Sequence, residues 1–100
     1  MATTAFIARY TPDATYEGIV LLYDGSPSRV AEILRKHYDH EAKLQELLDL
    51  GDIFELGASL CECDPVPGGF KAEEYSTLPR KWDHTYVLEN GHWVINRPVE

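Results

Sequence analysis

β-Branched and aromatic residues gather in short runs near the two ends of the chain, where they predict strands. The first two runs occupy residues 4–10 and 16–23, and a short turn-forming segment joins them. The last two occupy residues 83–89 and 92–96 and flank Asn90-Gly91, a dipeptide that readily adopts the positive φ angles of a type I′ turn. We therefore predict two antiparallel strand pairs, the second of which is a tight hairpin.

Between the strand pairs, apolar residues recur at intervals of three and four, which is the spacing of one helical face. Over residues 27–38 this face comprises Val30, Ile33, Leu34, His37 and Tyr38. A second, leucine-rich helix is predicted over residues 41–50, with Asp39 as its N-cap and Gly51 as the residue that ends it. Residues 52–56 are expected to add one more helical turn beneath the sheet, which would bury Ile53, Phe54 and Leu56.

The rest of the chain lacks this periodicity. Prolines and glycines interrupt residues 59–80, so we expect a short strand at residues 59–62 and an irregular loop over about 63–80. No repeat or linker divides the sequence, and its 100 residues suffice for one domain with its own core. The prediction is a single α+β domain over residues 1–100, in which two helices pack on one face of an antiparallel sheet of about four strands.

The protein is acidic, with a formal net charge of −8, and its 9 lysines and arginines form no run longer than two. This opposes binding to DNA or RNA, because phosphate contacts need clustered cations. The negative charge favours solubility, or steering toward a basic surface on another protein. The longest apolar run, residues 19–23, is far too short for a membrane helix, and residues 1–4 lack the basic start of a signal peptide. We expect a cytoplasmic protein that binds neither nucleic acid nor a membrane.

The turn before the first predicted helix is one candidate binding site. Its residues are Tyr23, Asp24, Gly25, Ser26, Ser28 and Arg29. A helix N-terminus presents unpaired backbone N–H groups and a partial positive charge, so the two serines and the arginine beside it could hold an anion. The tyrosine would stack on the base of a nucleotide. The same residues also make an ordinary helix start, with serine as N-cap followed by proline, and both interpretations stay open.

Trp82 and Trp93 are the other candidate contacts. Aromatic residues make up 11% of this acidic chain, more than a small core readily buries, so some of them are expected at the surface. Tyrosine and tryptophan are enriched at protein interfaces and also stack on purine rings. The surplus indicates a binding face, unless these side chains are partly buried aromatics of the sheet.

The remaining chemistry-bearing residues form no recognisable catalytic or metal motif. Cys61 and Cys63 are separated by one residue, whereas structural zinc sites use about two to four, so we expect free, partly buried strand thiols. His37 and His40 lie at the end of the first predicted helix, where they suit helix capping. An enzyme would need Asp24 to meet one of these histidines, which no spacing ensures. We predict a protein without catalytic residues, metal or cofactor.

Several of these features together resemble a family of small, uncharacterised bacteriophage and prophage proteins. Members carry an aromatic-Asp-Gly-aromatic-Pro turn, a leucine-rich helix ending in His-Tyr, and a Leu-Gly-Asp corner. The likeness covers residues 16–57 and 84–95, although Ser26 replaces the usual aromatic and Leu22 stands where relatives often have histidine. The matching positions are Gly18-Ile19, Tyr23-Asp24-Gly25, Pro27, Ile33-Leu34, His37-Tyr38, Leu44, Leu47, Leu50-Gly51-Asp52, Leu56-Gly57 and the run from Tyr86 to Trp93.

The resemblance implies a phage accessory protein that acts in the cytoplasm of the bacterial host. Small acidic phage proteins often occupy a host protein, so the first hypothesis is a non-catalytic protein that binds and inhibits or redirects a defence or replication factor. The alternative is a sequestering protein for a small anionic ligand, such as a nucleotide immune signal, held at the helix start. Homodimerisation through an edge strand or an aromatic face also stays open.

Overall fold

The computed structural model describes residues 3–69, 71–77 and 82–95 of the chain. Over these residues it has five strands, two α-helices and a 3₁₀ helix at Leu60–Glu62. The strands and α-helices are β1 (Ala5–Tyr10), β2 (Tyr16–Leu21), α1 (Pro27–His37), α2 (Glu41–Asp49), β3 (Glu73–Tyr75), β4 (His84–Glu89) and β5 (His92–Ile95). The α+β class predicted from the sequence is confirmed.

The strands form one sheet in the order β3-β2-β1-β4-β5, with β1 at its centre. The β1–β2, β2–β3 and β4–β5 pairs are antiparallel, but β1 and β4 run parallel. The predicted antiparallel sheet of about four strands is therefore corrected to a mixed sheet of five. The physical reason lies in β1, whose first four residues are all buried. A strand that is apolar on both faces belongs in the interior of a sheet and needs a partner along each edge.

The extra strand, β3, lies inside the segment predicted as an irregular loop over about 63–80. Its three residues pair with Tyr16, Glu17 and Gly18 along the outer edge of β2. A strand of three residues is too short to give a periodic pattern, so its pairing depends on the edge that β2 offers. Residues 78–81 of the predicted loop lie outside the described residues.

Residues 52–56 and 59–62 also differ from their predictions. Ile53 bridges Leu21 and Pro65 in extended conformation, so residues 52–56 do not form a helical turn. The chain is held there by hydrogen bonds from the Ile53 N–H to Val20 O and from the Leu22 N–H to Ile53 O, each 3.0 Å long. Residues 59–62 hold the 3₁₀ helix instead of a strand. Ile53 and Leu56 are nevertheless buried, as expected, whereas Phe54 is only half-buried.

Both α-helices end within one residue of their predicted bounds. Ser26 is the N-cap of α1 and Pro27 its first residue, as predicted. The predicted Asp39 cap of α2 is wrong, because His40 adopts the extended N-cap conformation and makes no side-chain capping bond. The Asp39 carboxylate instead lies near that imidazole, with Oδ1 3.4 Å from His40 Nε2. Gly51, with φ of 81°, ends α2 as predicted.

The C-terminal hairpin is confirmed. Asn90 and Gly91 have φ angles of 51° and 78°, the positive pair that a type I′ turn requires. Glu89 pairs with His92 across this turn, which fixes the register of β4 against β5. The last residue of the predicted strand, Asn96, lies outside the described residues.

Both helices pack on the same face of the sheet, as predicted. Val30, Ala31 and Leu34 of α1 join three leucines of α2 over the apolar side chains that β1, β2 and β4 present to this face. Tyr38 and Tyr86 are the largest fully buried side chains of this core. The Tyr86 hydroxyl donates to Gly25 O at 2.6 Å, and the Tyr38 hydroxyl donates to Gly57 O at 3.0 Å.

These two phenols make the fold sensitive to alkali. Burial raises the pKa of Tyr86 above its ordinary value of 10.0. Burial, and then the hydrogen bond and charge of Cys63, raise the pKa of Tyr38 as well. The unfolded chain releases both protons at lower pH than the folded chain, so their contribution is complete below about pH 10 and declines above it. Each phenol lowers the free energy of unfolding by up to about 1.4 kcal/mol per pH unit there.

We expect Tyr86→Phe to make the decline of the unfolding free energy with pH less steep by up to about 1.4 kcal/mol per pH unit, the effect of one proton. The reason is that phenylalanine releases no proton in either state. The measurement is urea unfolding at a series of pH values from about 8 to about 12, with the slope of the unfolding free energy compared between proteins. Tyr23→Phe is the control, since it removes a phenol that is 47% exposed. Equal slopes for Tyr86→Phe and Tyr23→Phe would contradict the prediction.

Candidate functional site

The sheet face opposite the helices carries a continuous group of aromatic side chains. Tyr10 and Tyr16 are ring neighbours across β1 and β2, with centroids 5.1 Å apart, and Tyr16 is paired with Tyr75 of β3. Tyr75 meets the ring of Phe6 edge to face at 5.4 Å, and Trp82 packs against the same cluster. No helix among the described residues packs on this side. We call these five residues, Phe6, Tyr10, Tyr16, Tyr75 and Trp82, the aromatic face.

The strand alternation explains why these aromatics share one face. Phe6, Ala8 and Tyr10 alternate with core-facing residues along β1, and their partners in β2 include Gly18 opposite Ala8. Gly18 has no side chain, so the Phe6 ring lies directly over its backbone: a Cβ built on Gly18 would stand 2.6 Å from Phe6 Cζ. The ring occupies the space of the missing side chain, and a depression lined by both residues lies beside it.

This depression is a cavity of about 340 Å³, which we call the sheet pocket. Its volume is within the range of about 300–1,000 Å³ that small-ligand sites occupy. Most of its lining is apolar or aromatic, and the described residues that line it also include two carboxylates and a lysine. The lining residues are Phe6, Gly18, Val20, Leu22, Asp52, Lys71, Glu73, Tyr75 and Trp82.

Two carboxylates flank the sheet pocket along the outer edge of β2. Asp52 Oδ1 accepts the Val20 N–H at 2.9 Å, which holds the side chain where β3 no longer covers β2. Glu73 pairs with Gly18, and its Oε2 accepts the Tyr75 hydroxyl at 3.1 Å. Burial raises the pKa of Tyr75, as do the hydrogen bond and charge of Glu73 and the charge of Asp52. Both carboxylates therefore act on one phenol at the edge of the pocket.

At the predicted anion site, the side chains of Ser26, Ser28 and Arg29 make contacts within the protein. The Ser26 and Ser28 hydroxyls lie 3.2 Å apart and bond to each other. Arg29 Nη2 donates to Leu56 O at 2.5 Å, so the guanidinium fastens α1 to the 52–56 segment. Proline at the first position has no N–H, and the Arg29 N–H already bonds Ser26 O at 3.1 Å. Residues 26–29 thus have the contacts of an ordinary helix start, although Arg29 Nη1 is buried without a hydrogen-bond partner.

The other residues of the predicted site separate in the structure. Gly25 is buried, with its N–H bonded to Thr3 O at 2.9 Å and its carbonyl to Tyr86. Asp24 is exposed in the left-handed region, with φ of 56°. Tyr23 is also exposed and stacks on Phe54, with ring centroids 5.9 Å apart.

The two predicted tryptophan contacts lie on opposite faces of the sheet. Trp82 lines the sheet pocket, whereas the Trp93 indole donates to Tyr38 O at 3.2 Å on the helix side. The surplus of aromatics noted in the sequence therefore divides between the core and the aromatic face. Of the eight predicted site residues, Trp82 alone lines the sheet pocket.

Sequence reasoning missed Phe6, Asp52, Lys71, Glu73 and Tyr75 as site residues. One signal for the face was present: β1 reads Ala-Phe-Ile-Ala, which is apolar at both odd and even positions. Such a strand is apolar on both faces of the sheet, yet the predicted helices cover only one of these faces. No local pattern indicated that Asp52 and Glu73 line the same cavity, because Asp52 follows α2 and Glu73 begins β3.

The histidine and cysteine groups stay apart from this site. Cys61 is exposed, Cys63 is buried, and both are free thiols. They lie at the 3₁₀ helix, whereas the sequence predicted that they lie on a strand. Within residues 3–69, 71–77 and 82–95, no three His, Cys, Asp or Glu side chains converge to hold a metal ion. In the same part of the chain, neither α-helix has the length and apolar character needed to cross a membrane.

None of the known protein-family models, curated proteins or solved structures matches this chain.

Proposed function

We propose that the protein is a non-catalytic binding protein whose aromatic face docks on a bacterial host protein and thereby inhibits or redirects it. The observation that carries the proposal is the continuous aromatic group on the sheet side that the helices leave open. The resemblance to phage and prophage proteins supplies the setting, an accessory protein acting on a host defence or replication factor in the bacterial cytoplasm.

The composition of the face suits a protein partner. Tyrosine and tryptophan are the side chains that interfaces favour, because they combine large apolar area with a polar group. Tyr10 is 37% exposed, and Tyr16, Tyr75 and Trp82 are half-buried, so the face offers several rings to a partner at once. Its carboxylate edge and the net charge of −8 favour a partner with a basic surface.

The contacts favour this proposal over the anion-sequestering alternative. That alternative needs the serine hydroxyls and the Arg29 guanidinium to converge on one ligand. The hydroxyls bond to each other, and the guanidinium bonds Leu56 O. A ligand at the helix start would have to displace the contact between the hydroxyls, which costs about 1 kcal/mol. On the guanidinium, Nη2 is held by Leu56 O, and the buried Nη1 is the donor without a partner.

The test is affinity capture of the tagged protein from bacterial lysate, with bound proteins identified by mass spectrometry and heat-released small molecules analysed in parallel. Tyr10→Ser and Tyr23→Ser are a matched pair: the two tyrosines are 37% and 47% exposed, but only Tyr10 belongs to the aromatic face. We expect the wild type and Tyr23→Ser to retain a stoichiometric host protein. Tyr10→Ser should weaken its binding about tenfold, as loss of an interface tyrosine commonly does.

Three results would count against the proposal. If the wild type retained no host protein, the proposed binding to a host protein would be contradicted. Equal retention by Tyr10→Ser and the wild type, with both proteins folded by circular dichroism, would place the contact outside the aromatic face. A bound nucleotide recovered without any protein would transfer the support to the sequestering alternative.

A further inference from the structure

We infer that the sheet pocket receives a basic side chain, an arginine or a lysine, of the protein partner. The pocket is then a specific site for an organic cation carried on an apolar stem. This inference rests on the function proposed above and adds the chemistry of the central contact.

The walls of the sheet pocket suit such a group. Phe6, Tyr75 and Trp82 contribute three aromatic rings around one cavity, and Val20 and Leu22 contribute aliphatic surface. A guanidinium or ammonium group is attracted to the face of an aromatic ring, most strongly where water is excluded. The methylene stem of arginine or lysine buries apolar area at the same time. A neutral apolar side chain would gain only the burial of its apolar area, and not the attraction of a cation to the rings.

The charges around the pocket select the sign of the ligand. Asp52 and Glu73 both line it and both act on the Tyr75 hydroxyl, so two carboxylates face one region of the cavity. Lys71 also lines the pocket, but it is exposed, and its flexible stem allows the ammonium to turn into solvent. Among the described lining residues the carboxylates outnumber the cations, which agrees with the net charge of −8. The carboxylates of the pocket therefore attract a cation at short range, and the net charge of the protein attracts it at long range.

The two carboxylates keep acceptor capacity for this cation. Asp52 Oδ1 accepts the Val20 N–H and Glu73 Oε2 accepts the Tyr75 hydroxyl, and each carboxylate has about four lone-pair positions in all. The bonds already made hold the two side chains in place, so little ordering remains to be done on binding. Arginine, with five N–H donors in a planar fork, matches two acceptors at one edge of a cavity better than lysine.

The experiment titrates the isotopically labelled protein with a blocked glycyl-arginyl-glycine peptide and observes the indole N–H signals by NMR. The citrulline analogue of the peptide is the matched neutral probe, because it replaces the guanidinium by a urea of the same shape. Trp82 lines the sheet pocket and Trp93 lies on the helix side, so the chain carries one reporting and one reference indole. We expect the arginine peptide to shift the Trp82 signal and the citrulline peptide to leave it in place.

Two neighbouring carboxylates of β3 provide the matched variants. Glu73 and Glu74 are both exposed, but alternation along the strand places only Glu73 on the pocket side. Glu73→Gln and Asp52→Asn should each weaken the arginine peptide about three- to tenfold, and Glu74→Gln less than about twofold. Asparagine retains the oxygen that accepts the Val20 N–H, so the second variant keeps the local fold. Lys71→Gln should strengthen binding, because it removes a cation from the lining of the pocket.

The outcomes separate this inference from the proposed function. Equal binding of the citrulline peptide, equal weakening by Glu73→Gln and Glu74→Gln, or no Trp82 shift would overturn the cation site while a captured host protein still stood. Weaker binding of the arginine peptide by Lys71→Gln would show that the Lys71 charge does not oppose the ligand, and it would also overturn the cation site. Peptide binding with no host protein captured would overturn the partner protein as the source of the cation.

Discussion

Tyr38→Ala is expected to lower the free energy of unfolding by about 3–5 kcal/mol, the range for truncating a large aromatic in a core. The Tyr38 side chain is fully buried and is one of the two largest in the core. It stands where α1 ends, and its hydroxyl reaches Gly57 O at 3.0 Å and Cys63 Sγ at 3.6 Å. Its carbonyl accepts the Trp93 indole at 3.2 Å. Truncation therefore leaves a cavity between the end of α1 and the segment at residues 57–63.

Two further variants divide this loss into its parts. Tyr38→Phe keeps the ring and removes only the hydroxyl, so we expect a loss of about 1–1.5 kcal/mol from the missing hydrogen bond. His37→Ala changes the exposed neighbour and should stay within about 0.5 kcal/mol of the wild type. Urea unfolding measures all three. A loss for Tyr38→Ala no greater than that for Tyr38→Phe would show that the ring contributes little packing.

Gly18→Ala is expected to cost about 3 kcal/mol, at the upper end of the usual range for overpacking. A Cβ on Gly18 would lie 2.6 Å from Ile7 O and 2.7 Å from Ala8 Cβ, besides its contact with the Phe6 ring. The ring can turn aside, but the carbonyl and the Ala8 Cβ belong to a central strand that is hydrogen-bonded on both edges. The β1–β2 pair must therefore separate locally to admit one methyl group.

The contrast with a turn glycine isolates this steric cause. Gly91 has φ of 78° and nothing within 4 Å of an added Cβ, so Gly91→Ala carries only the strain of the left-handed backbone, about 1–2 kcal/mol. We expect Gly18→Ala to be the more destabilising of the two in urea unfolding. Introducing Phe6→Leu should recover at least about 0.5 kcal/mol of the Gly18→Ala loss, measured as a double-mutant coupling. Purely additive losses would exclude the contact with the ring as a cause.

The elements that were predicted correctly depend on neighbours in sequence. Ser26 and Pro27 begin α1, Gly51 ends α2, and Asn90-Gly91 closes the hairpin, because caps and tight turns are decided by the φ angles and side-chain chemistry of a few adjacent residues. The errors at Asp39 and at residues 52–56 and 59–62 fall where the local pattern was weak. At residues 52–56, the hydrogen bonds of Ile53 to Val20 and Leu22 decided the conformation.

By itself, the sequence determined an α+β protein with two amphipathic helices over one sheet face and an acidic, aromatic-rich surface. Tertiary structure alone decided that β1 is central, that β4 lies parallel to it, and that β3 extends the edge of β2. It also decided the site. Phe6, Asp52, Glu73 and Trp82 come from four separate segments, and they line one cavity only because sheet pairing brings those segments together. Residues distant in sequence are joined by the burial and hydrogen-bond needs of the whole chain, which no local window of the sequence contains.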